Sequence, residues 1–234
     1  MFNFFKKQIL VKLEFKCPYC FVILDKEPTR KQRCKFCKQE FLVRKNYTTG
    51  EKLVMTEVNA VKFDIEKKRY YIDKSLIDGL KLDMRVNPHE VDRLVVKARE
   101  SLTKKFGQAP SLGDVAWSVA NMLIIESAKK NVDVAGSIYF QMAMYLHSTD
   151  RDYSSLREKS FELDLLQYKK NGVLKNVEIL ATENSCESCK SQGGLIMSIE
   201  QALHDKPLPC NSCSYELNNI KKGWCRCCYA PSLS

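Results

Sequence analysis

The sequence has no run of apolar residues long enough to cross a membrane, and its composition is not that of a disordered chain. A membrane-spanning helix needs about 18 or more consecutive, mostly apolar residues. The opening stretch, MFNFFKKQILVKLEF, is interrupted by lysine every few positions, and it lacks the apolar core and small-residue cleavage site of a secretory signal. We therefore expect a cytoplasmic protein that does not contact a membrane.

Recognisable catalytic motifs are missing as well. The chain contains 3 histidines, and none belongs to an H-E-x-x-H metalloprotease motif or an H-x-E deaminase motif. There is no phosphate-binding loop, dinucleotide-binding fingerprint or G-x-S-x-G nucleophile elbow. We expect His89, His147 and His204 to be ordinary surface or helix-capping residues. We infer no small-molecule substrate and favour a non-enzymatic protein.

Cysteine is absent from the 148 residues between Cys37 and Cys186, although the chain contains 11 cysteines. Four lie in residues 17–37 and seven in residues 186–228. A cytoplasmic protein does not keep structural disulfides. Clustered C-x-x-C pairs without a secretory signal are typical of metal sites, so the sequence predicts that both ends of the chain bind metal.

The N-terminal module, residues 1–50, contains the pairs CPYC and CKFC. Alternation at Val11, Leu13 and Phe15, together with the stretch EFLVR, predicts strands around these pairs. Two such knuckles on β-hairpins predict a zinc ribbon. Four thiolates on Zn²⁺ supply the folding free energy that a module of roughly 40 residues cannot obtain from its apolar core. The predicted ligands are Cys17, Cys20, Cys34 and Cys37.

The residue after each pair is unusual for a zinc knuckle. Glycine is common there because its backbone adopts positive φ without strain. Phe21 and Lys38 occupy these two positions. We therefore expect turns that are strained or differently shaped.

Residues 51–176 are predicted to form one helical bundle. Apolar residues recur at helical spacing, and no proline- or glycine-rich linker divides the region. One helix should begin at Asn87 and Pro88 and stop at Gly107, and the next should begin with Ser111 as its N-cap. The run that follows, VAWSVANMLIIESAKKN, is apolar on nearly all sides, which predicts the most buried helix.

The last part of this region predicts a helical hairpin that turns at S-T-D-R-D and closes at Gly172. Its aromatic spacing also fits one tetratricopeptide hairpin, but a single repeat does not make a stable array, so bundle packing is favoured. The stretch before Leu80 has helical spacing, although Phe63 and Ile65 could alternate in a β-hairpin; we favour a helix. The predicted fold class is mainly α, with a small β ribbon at one end and a cysteine-rich zinc module at the other.

Seven cysteines lie in the predicted C-terminal module, residues 177–234. They exceed one four-ligand zinc site and are one short of two. VEILA predicts a strand before the pair CESC, and a short helix precedes the pair CNSC. Cys228 is expected to be a buried free thiol that packs like a small apolar residue, because three ligands within four residues would crowd one tetrahedron. We predict one site that contains Cys186 and Cys189, with two more sulfurs from Cys210, Cys213, Cys225 and Cys227.

Two alternatives stay open for these cysteines. His204 or Cys228 could complete a second zinc site, so that the module would hold two ions rather than one. Four cysteines can also hold an iron–sulfur cluster, but the ferredoxin spacing C-x₂-C-x₂-C is absent.

The excess positive charge is concentrated at the N-terminus. The whole chain has a formal charge of +10, and residues 1–50 carry 12 Lys and Arg against 4 Asp and Glu, a net charge of +8. A basic patch attracts polyanions, of which nucleic acid is the commonest, although it can also be a solubilising surface. The residues expected to contact nucleic acid, with Phe36 or Tyr19 available for stacking, are Lys16, Arg30, Lys31, Arg33, Lys35, Lys38, Arg44 and Lys45.

The two ends also carry a resemblance. CPYC…CKFCKQEFLVR is similar to the opening of a set of uncharacterised bacterial and phage-borne zinc-ribbon proteins. The end, with CESC, PLPC and GWCRCCY, resembles their closing module and, more distantly, the cysteine-rich tail of phage head-morphogenesis proteins. This resemblance implies metal ligands at Cys186, Cys189, Cys225 and Cys227. It leaves the pair Cys210 and Cys213 as an addition to the pattern.

Nucleic-acid binding is thus the favoured function. The resemblance implies an alternative, a protein–protein scaffold of a phage or mobile element that acts in assembly or host defence. A metal-dependent hydrolase with a zinc-bound water near His204 is disfavoured, because catalytic zinc keeps an open position and this module has cysteines to spare.

Overall fold

The computed structural model describes residues 14–127, 132–172, 174–217, 220 and 223–232, with the side chains of residues 132 and 133 left undescribed. The chain divides into two compact units, Met1–Arg69 and Tyr70–Ser234, and the boundary falls inside the first helix. The described residues form seven helices and two small antiparallel sheets, which confirms the mainly α fold class. The division into three modules stays a prediction.

The N-terminal unit is built on a three-stranded antiparallel sheet in the order β1-β2-β3. Its strands are β1 (Gln32–Arg33), β2 (Glu40–Lys45) and β3 (Lys52–Met55), followed by helix α1 (Glu57–Leu82). The sequence predicted β2, but it placed the residues of β3 with the helical part. The short stretch KLVM is extended because it pairs with β2 along its whole length.

Only part of the strand predicted before the first cysteine pair lies within the described residues. Val11 and Leu13 lie outside the described residues. Phe15 is not in a strand, although its carbonyl oxygen accepts a hydrogen bond from Leu24 N at 2.8 Å. This bond, with the bridge between Lys16 and Ile23, closes a short antiparallel turn around the first pair.

The helical bundle follows the predicted boundaries. Its helices after α1 are α2 (Pro88–Phe106), α3 (Leu112–Ser127), α4 (Val132–Ser148) and α5 (Ser154–Lys170). Asn87 Oδ1 accepts from His89 N at 3.0 Å at the start of α2, and Gly107 ends the helix with φ 70°. Ser111 Oγ accepts from Asp114 N at 3.1 Å at the start of α3. The sequence predicts these caps correctly because each cap depends only on neighbouring residues.

The bundle core contains a buried polar pair. Tyr145 Oη donates to Asp73 Oδ1 at 2.8 Å, and Asp73 is only 4% exposed. Gly113 on α3 leaves the room for this pair, because a Cβ at that position would lie 2.7 Å from Tyr145 Oη. The surrounding core is apolar, with Leu76 and Ile138 among its buried members.

The C-terminal residues form a second sheet, in the order β5-β4-β6, that is part of the same compact unit as the bundle. Its elements are β4 (Asn176–Leu180), α6 (Glu187–Lys190), β5 (Ile196–Ser198), α7 (Ile199–Asp205) and β6 (Cys228–Ser232). Phe161 on α5 meets Tyr229 on β6 edge-to-face, with ring centroids 5.7 Å apart. The sheet is thereby fixed to the last helix of the bundle. None of the helices in the described part of the chain has the length and apolar character that a bilayer crossing requires.

Candidate metal centres

The four N-terminal cysteines lie together as the sequence predicted. Their Sγ atoms are all within 4.8 Å of one another. The Cys17–Cys37 and Cys20–Cys34 sulfur pairs are each 3.7 Å apart. Four sulfurs placed tetrahedrally at about 2.3 Å from an ion would be roughly 3.8 Å apart. The group therefore fits one tetrahedrally coordinated metal ion.

Both knuckles contain the same hydrogen-bonded turn. Phe21 N donates to Cys17 O, and Lys38 N donates to Cys34 O, each at 3.0 Å. Phe21 and Lys38 adopt φ 60° and 62°, so these two residues occupy the left-handed region that glycine usually fills. A non-glycine residue there costs roughly 1–2 kcal/mol. The prediction of strained turns is confirmed, and the cysteine group must hold the strain in place.

The turns also direct backbone N–H groups at sulfur. Hydrogen bonds from the N–H of Cys37 and then of Phe36 lower the pKa of Cys34 to about 6. At the C-terminal end, N–H groups of Ser214 and Cys189 lower the pKa of Cys186 to about 6. These bonds favour the thiolate, which is the form that binds metal.

The C-terminal cysteines form two triangles of sulfur atoms that share one corner. The first triangle consists of the Sγ atoms of Cys186, Cys189 and Cys213, and the second of those of Cys189, Cys225 and Cys227. Within each triangle all atoms lie within 4.8 Å of one another. The Cys186–Cys213 pair is 3.8 Å apart and the Cys189–Cys225 pair 3.9 Å. Five cysteines are thus brought together, and they could hold metal.

Helix α6 and a tight chain crossing position these sulfurs. Cys186 is the N-cap of α6, and Cys189 lies within it and is 1% exposed. Burial raises the pKa of the Cys189 thiol. The segment before Cys225 passes so close to Cys213 that a Cβ on Gly223 would lie 1.7 Å from the Cys213 carbonyl oxygen. Only glycine fits at this crossing.

Cys210 and Cys228 stay outside both triangles. The Cys210 thiol lies 3.6 Å from Ser212 Oγ, while its backbone N–H donates to Cys225 Sγ at 3.3 Å. Cys228 was expected to be buried, but it is exposed on β6. The structure therefore brings together five of the six C-terminal residues predicted as ligands and leaves out Cys210.

The histidines contribute no ligand to these groups. His204 has an exposed side chain and lies 2.7 Å from Asp205 Oδ1, and His89 begins helix α2. His147 lies in the last turn of α4, near a helix end as predicted, but the expectation of a surface residue is wrong: it is 0% exposed. Its ring packs against Tyr153 and Trp224, at centroid distances of 5.2 and 5.1 Å.

A buried arginine beside the second triangle was missed from the sequence. Arg157 is 7% exposed, and its guanidinium lies 3.8 Å from the Phe161 ring centroid and 4.8 Å from that of Phe140. Burial lowers the pKa of Arg157 to about 10, and the nearby Cys225 opposes this effect. The spacing of four residues between Arg157 and Phe161 was a local signal, but it also fits a surface pair.

The basic N-terminal surface is partly neutralised by acidic neighbours. Lys31 and Arg33 both approach Glu40, at 2.7 and 3.4 Å. Two more of the eight predicted contacts are paired, Lys35 with Asp25 at 2.9 Å and Arg44 with Asp64 at 2.7 Å. The other four are exposed and form no ion pair with a described residue: Lys16, Arg30, Lys38 and Lys45.

Aromatic side chains are exposed at the two knuckles. Phe21 is 73% exposed and Phe36 is 64% exposed, although both are large apolar residues. Tyr19, in the first pair, is 39% exposed. Phe36 also lines a groove together with Arg33 and Lys35. The groove therefore brings one exposed aromatic ring, that of Phe36, next to two cations.

Comparison of the chain with protein-family models, curated proteins and solved structures finds no match.

Proposed function

We propose that this is a zinc-stabilised, non-enzymatic nucleic-acid-binding protein whose N-terminal unit is a zinc ribbon. The observation that supports it best is the exposure of Phe21 and Phe36, one at each knuckle, in a unit that also exposes Lys16 and Lys38. Exposed aromatic rings together with basic residues are typical of surfaces that bind single-stranded nucleic acid. Nucleic-acid bases stack on such rings, while neighbouring lysines meet the phosphates.

Zinc is the metal that best suits the ribbon. Four cysteine thiolates in a closed tetrahedron are typical of structural zinc sites. The spacing of the two C-x-x-C pairs does not correspond to a ferredoxin pattern. Cys17, Cys20, Cys34 and Cys37 would hold the ion, and the C-terminal cysteines would hold zinc in the same way.

The ion pairs indicate which of the eight predicted cations are free to bind phosphate. Lys31, Arg33, Lys35 and Arg44 already neutralise carboxylates, so they gain less from a phosphate. Lys16, Arg30, Lys38 and Lys45 are not neutralised by a described carboxylate, although Lys38 Nζ donates to the neutral Lys35 carbonyl oxygen at 2.6 Å. Each phosphate neutralised on a single strand contributes about 0.7 to the slope of log K against log salt, so four contacts give a slope of about −3.

Fluorescence anisotropy tests this proposal. A labelled single-stranded oligonucleotide of mixed sequence, and its duplex, are titrated with zinc-loaded protein across a salt series. Phe36→Ala and Phe21→Ala should each weaken binding by about 1–3 kcal/mol, the value of one stacked base. Lys38→Ala should reduce the salt slope, whereas Lys97→Ala, an exposed lysine on α2, should leave both quantities unchanged. Absence of binding to either probe at low salt refutes nucleic-acid binding.

A further inference from the structure

We propose that the C-terminal cysteines hold two metal ions, one on each sulfur triangle, bridged by the shared thiolate of Cys189. The proposal rests on metal binding by this end of the chain, as put forward above. It does not depend on nucleic-acid binding by the N-terminal unit.

The two cysteine groups have different shapes. A single tetrathiolate centre needs four sulfurs that are all about 3.8 Å apart. The N-terminal group meets this requirement with four mutually close atoms. All seven C-terminal cysteines are described, and no four of their sulfurs lie within 4.8 Å of one another. A single centre would need the group to rearrange.

Each triangle has one edge of the length expected in a metal tetrahedron. The sulfur separations of Cys186–Cys213 and Cys189–Cys225 are 3.8 and 3.9 Å, close to the expected edge of about 3.8 Å. A thiolate that binds one ion keeps lone pairs that can bind a second. Cys189 is a corner of both triangles and is nearly inaccessible to solvent, so it has the position of a bridging ligand.

A fourth ligand for the second ion is close by. Cys210 is 6% exposed and adjoins the second triangle through its N–H bond to Cys225 Sγ. It is the remaining buried cysteine of this end, since Cys228 is exposed. A rotamer change would redirect its thiol away from Ser212.

Charge balance also favours two ions. Buried thiolates are costly unless cations compensate them. With Cys210 as the sixth thiolate beside the five of the triangles, one Zn²⁺ would leave four negative charges, whereas two ions would leave two. The buried guanidinium of Arg157 interacts electrostatically with Cys225 and can offset one of these two.

The test is the metal content of the full-length protein, measured by native mass spectrometry after loading with Zn²⁺ under reducing conditions. We expect three ions per chain, one at the N-terminal group and two at the triangles. Cys17→Ser should remove one ion and Cys189→Ser two, while Cys228→Ser should retain all three. A content of two ions, with only one lost in Cys189→Ser, would refute the bridge and leave a single C-terminal metal site. Absence of C-terminal metal would refute both.

A second measurement avoids any variant that fails to fold. The wild-type chain is loaded with ¹¹³Cd²⁺ and its ¹¹³Cd NMR spectrum recorded. A bridging thiolate couples the two cadmium nuclei, so we expect two mutually coupled resonances and one uncoupled resonance from the N-terminal group. A single uncoupled resonance from the C-terminal cysteines would overturn the proposal.

Discussion

The two cysteine groups are set in very different surroundings. In the N-terminal group, Phe41 is the buried residue that accompanies Cys17 and Cys34, and the other described members of this cluster are only partly buried. The C-terminal group lies in an extended apolar cluster that includes Val177 and Ile199. The cluster also takes in residues of α5, so this end of the chain has a core of its own.

The difference indicates two roles for metal. At the N-terminus the ion would replace a core, because the unit is too small to bury sufficient apolar surface. At the C-terminus it would fasten segments that are already packed, namely α6, the turn at Cys213 and the segment before β6. We therefore expect metal to determine whether the N-terminal unit folds, and to affect only the stability of the C-terminal residues.

The largest expected effect is that of chelation. Hydrogen–deuterium exchange of the full chain, followed by mass spectrometry with and without a strong zinc chelator, should show complete loss of protection in residues 17–45. Structural zinc supplies roughly 10–16 kcal/mol in small metal-dependent modules, and the proposed N-terminal ion should contribute in the same way. Residues 176–180 of β4 should keep measurable protection. Equal loss at both ends would contradict the comparison.

A backbone substitution should loosen the C-terminal end directly. In Gly223→Ala the new Cβ would collide with the Cys213 carbonyl oxygen, 1.7 Å away, so the crossing must open. We expect a loss of about 3 kcal/mol or more in urea denaturation, and weaker retention of the proposed C-terminal metal. Gly107→Ala is the matched control, with positive φ but no atom within 4 Å, and should cost only about 1 kcal/mol. If the two variants lose similar amounts of unfolding free energy, the close contact between Gly223 and the Cys213 carbonyl oxygen does not restrict this position.

Removing the buried arginine should make the folding of the C-terminal end depend on metal, as that of the N-terminal end does. Arg157→Ala deletes a guanidinium that packs on the Phe161 and Phe140 rings, with an expected loss of about 2–3 kcal/mol. The C-terminal residues should then lose protection on chelation, as the N-terminal ones do. The same exchange experiment on Arg99→Ala, an exposed arginine of α2, provides the reference. Unchanged C-terminal protection in Arg157→Ala would show that the aromatic contacts do not anchor this end.

The smallest effect concerns the bundle, outside both cysteine groups. Burial alone would raise the pKa of Asp83, but hydrogen bonds from Arg85 and Ser137 outweigh it and lower the pKa to about 2. The folded pKa is below the unfolded value of about 3.9, so Asp83 stabilises the protein above that pH, and the stabilisation is lost as the pH falls toward 2. Asp83→Asn should cost about 1–2 kcal/mol at pH 7.

Acid would release metal from wild type and from Asp83→Asn alike, so this effect drops out when the two free energies of unfolding are subtracted at each pH. The remaining difference should shrink to nothing as the pH falls to about 2. A difference that stays constant from pH 7 to pH 2 would exclude the carboxylate as its source.

The sequence predicted best where structure depends on neighbouring residues. Asn87 and Gly107 delimit α2 through bonds within a few positions, and the C-x-x-C spacing placed the N-terminal ligands together. Strand β3 was missed because four residues acquire their extended form only by pairing with β2. Pairing between strands leaves no pattern in the sequence of the four residues themselves.

Long-range packing also limited the prediction of the C-terminal site. Cys210 and Cys213 share one C-x-x-C pair, yet only the Cys213 thiol joins a triangle. The position of Cys213 depends on the crossing at Gly223, ten residues further along the chain, which the local sequence does not show. His147 and Arg157 were unexpected for the same reason, because Trp224 and Phe140 cover them from other segments.

The most direct test of metal at both ends is a crystal of the full chain measured on either side of the zinc absorption edge. The account predicts anomalous peaks, present only above the edge, among the sulfurs of Cys17, Cys20, Cys34 and Cys37 and within the C-terminal triangles. Sulfurs joined to one another as disulfides, or bare sulfurs with no peak between them at either end, would contradict it.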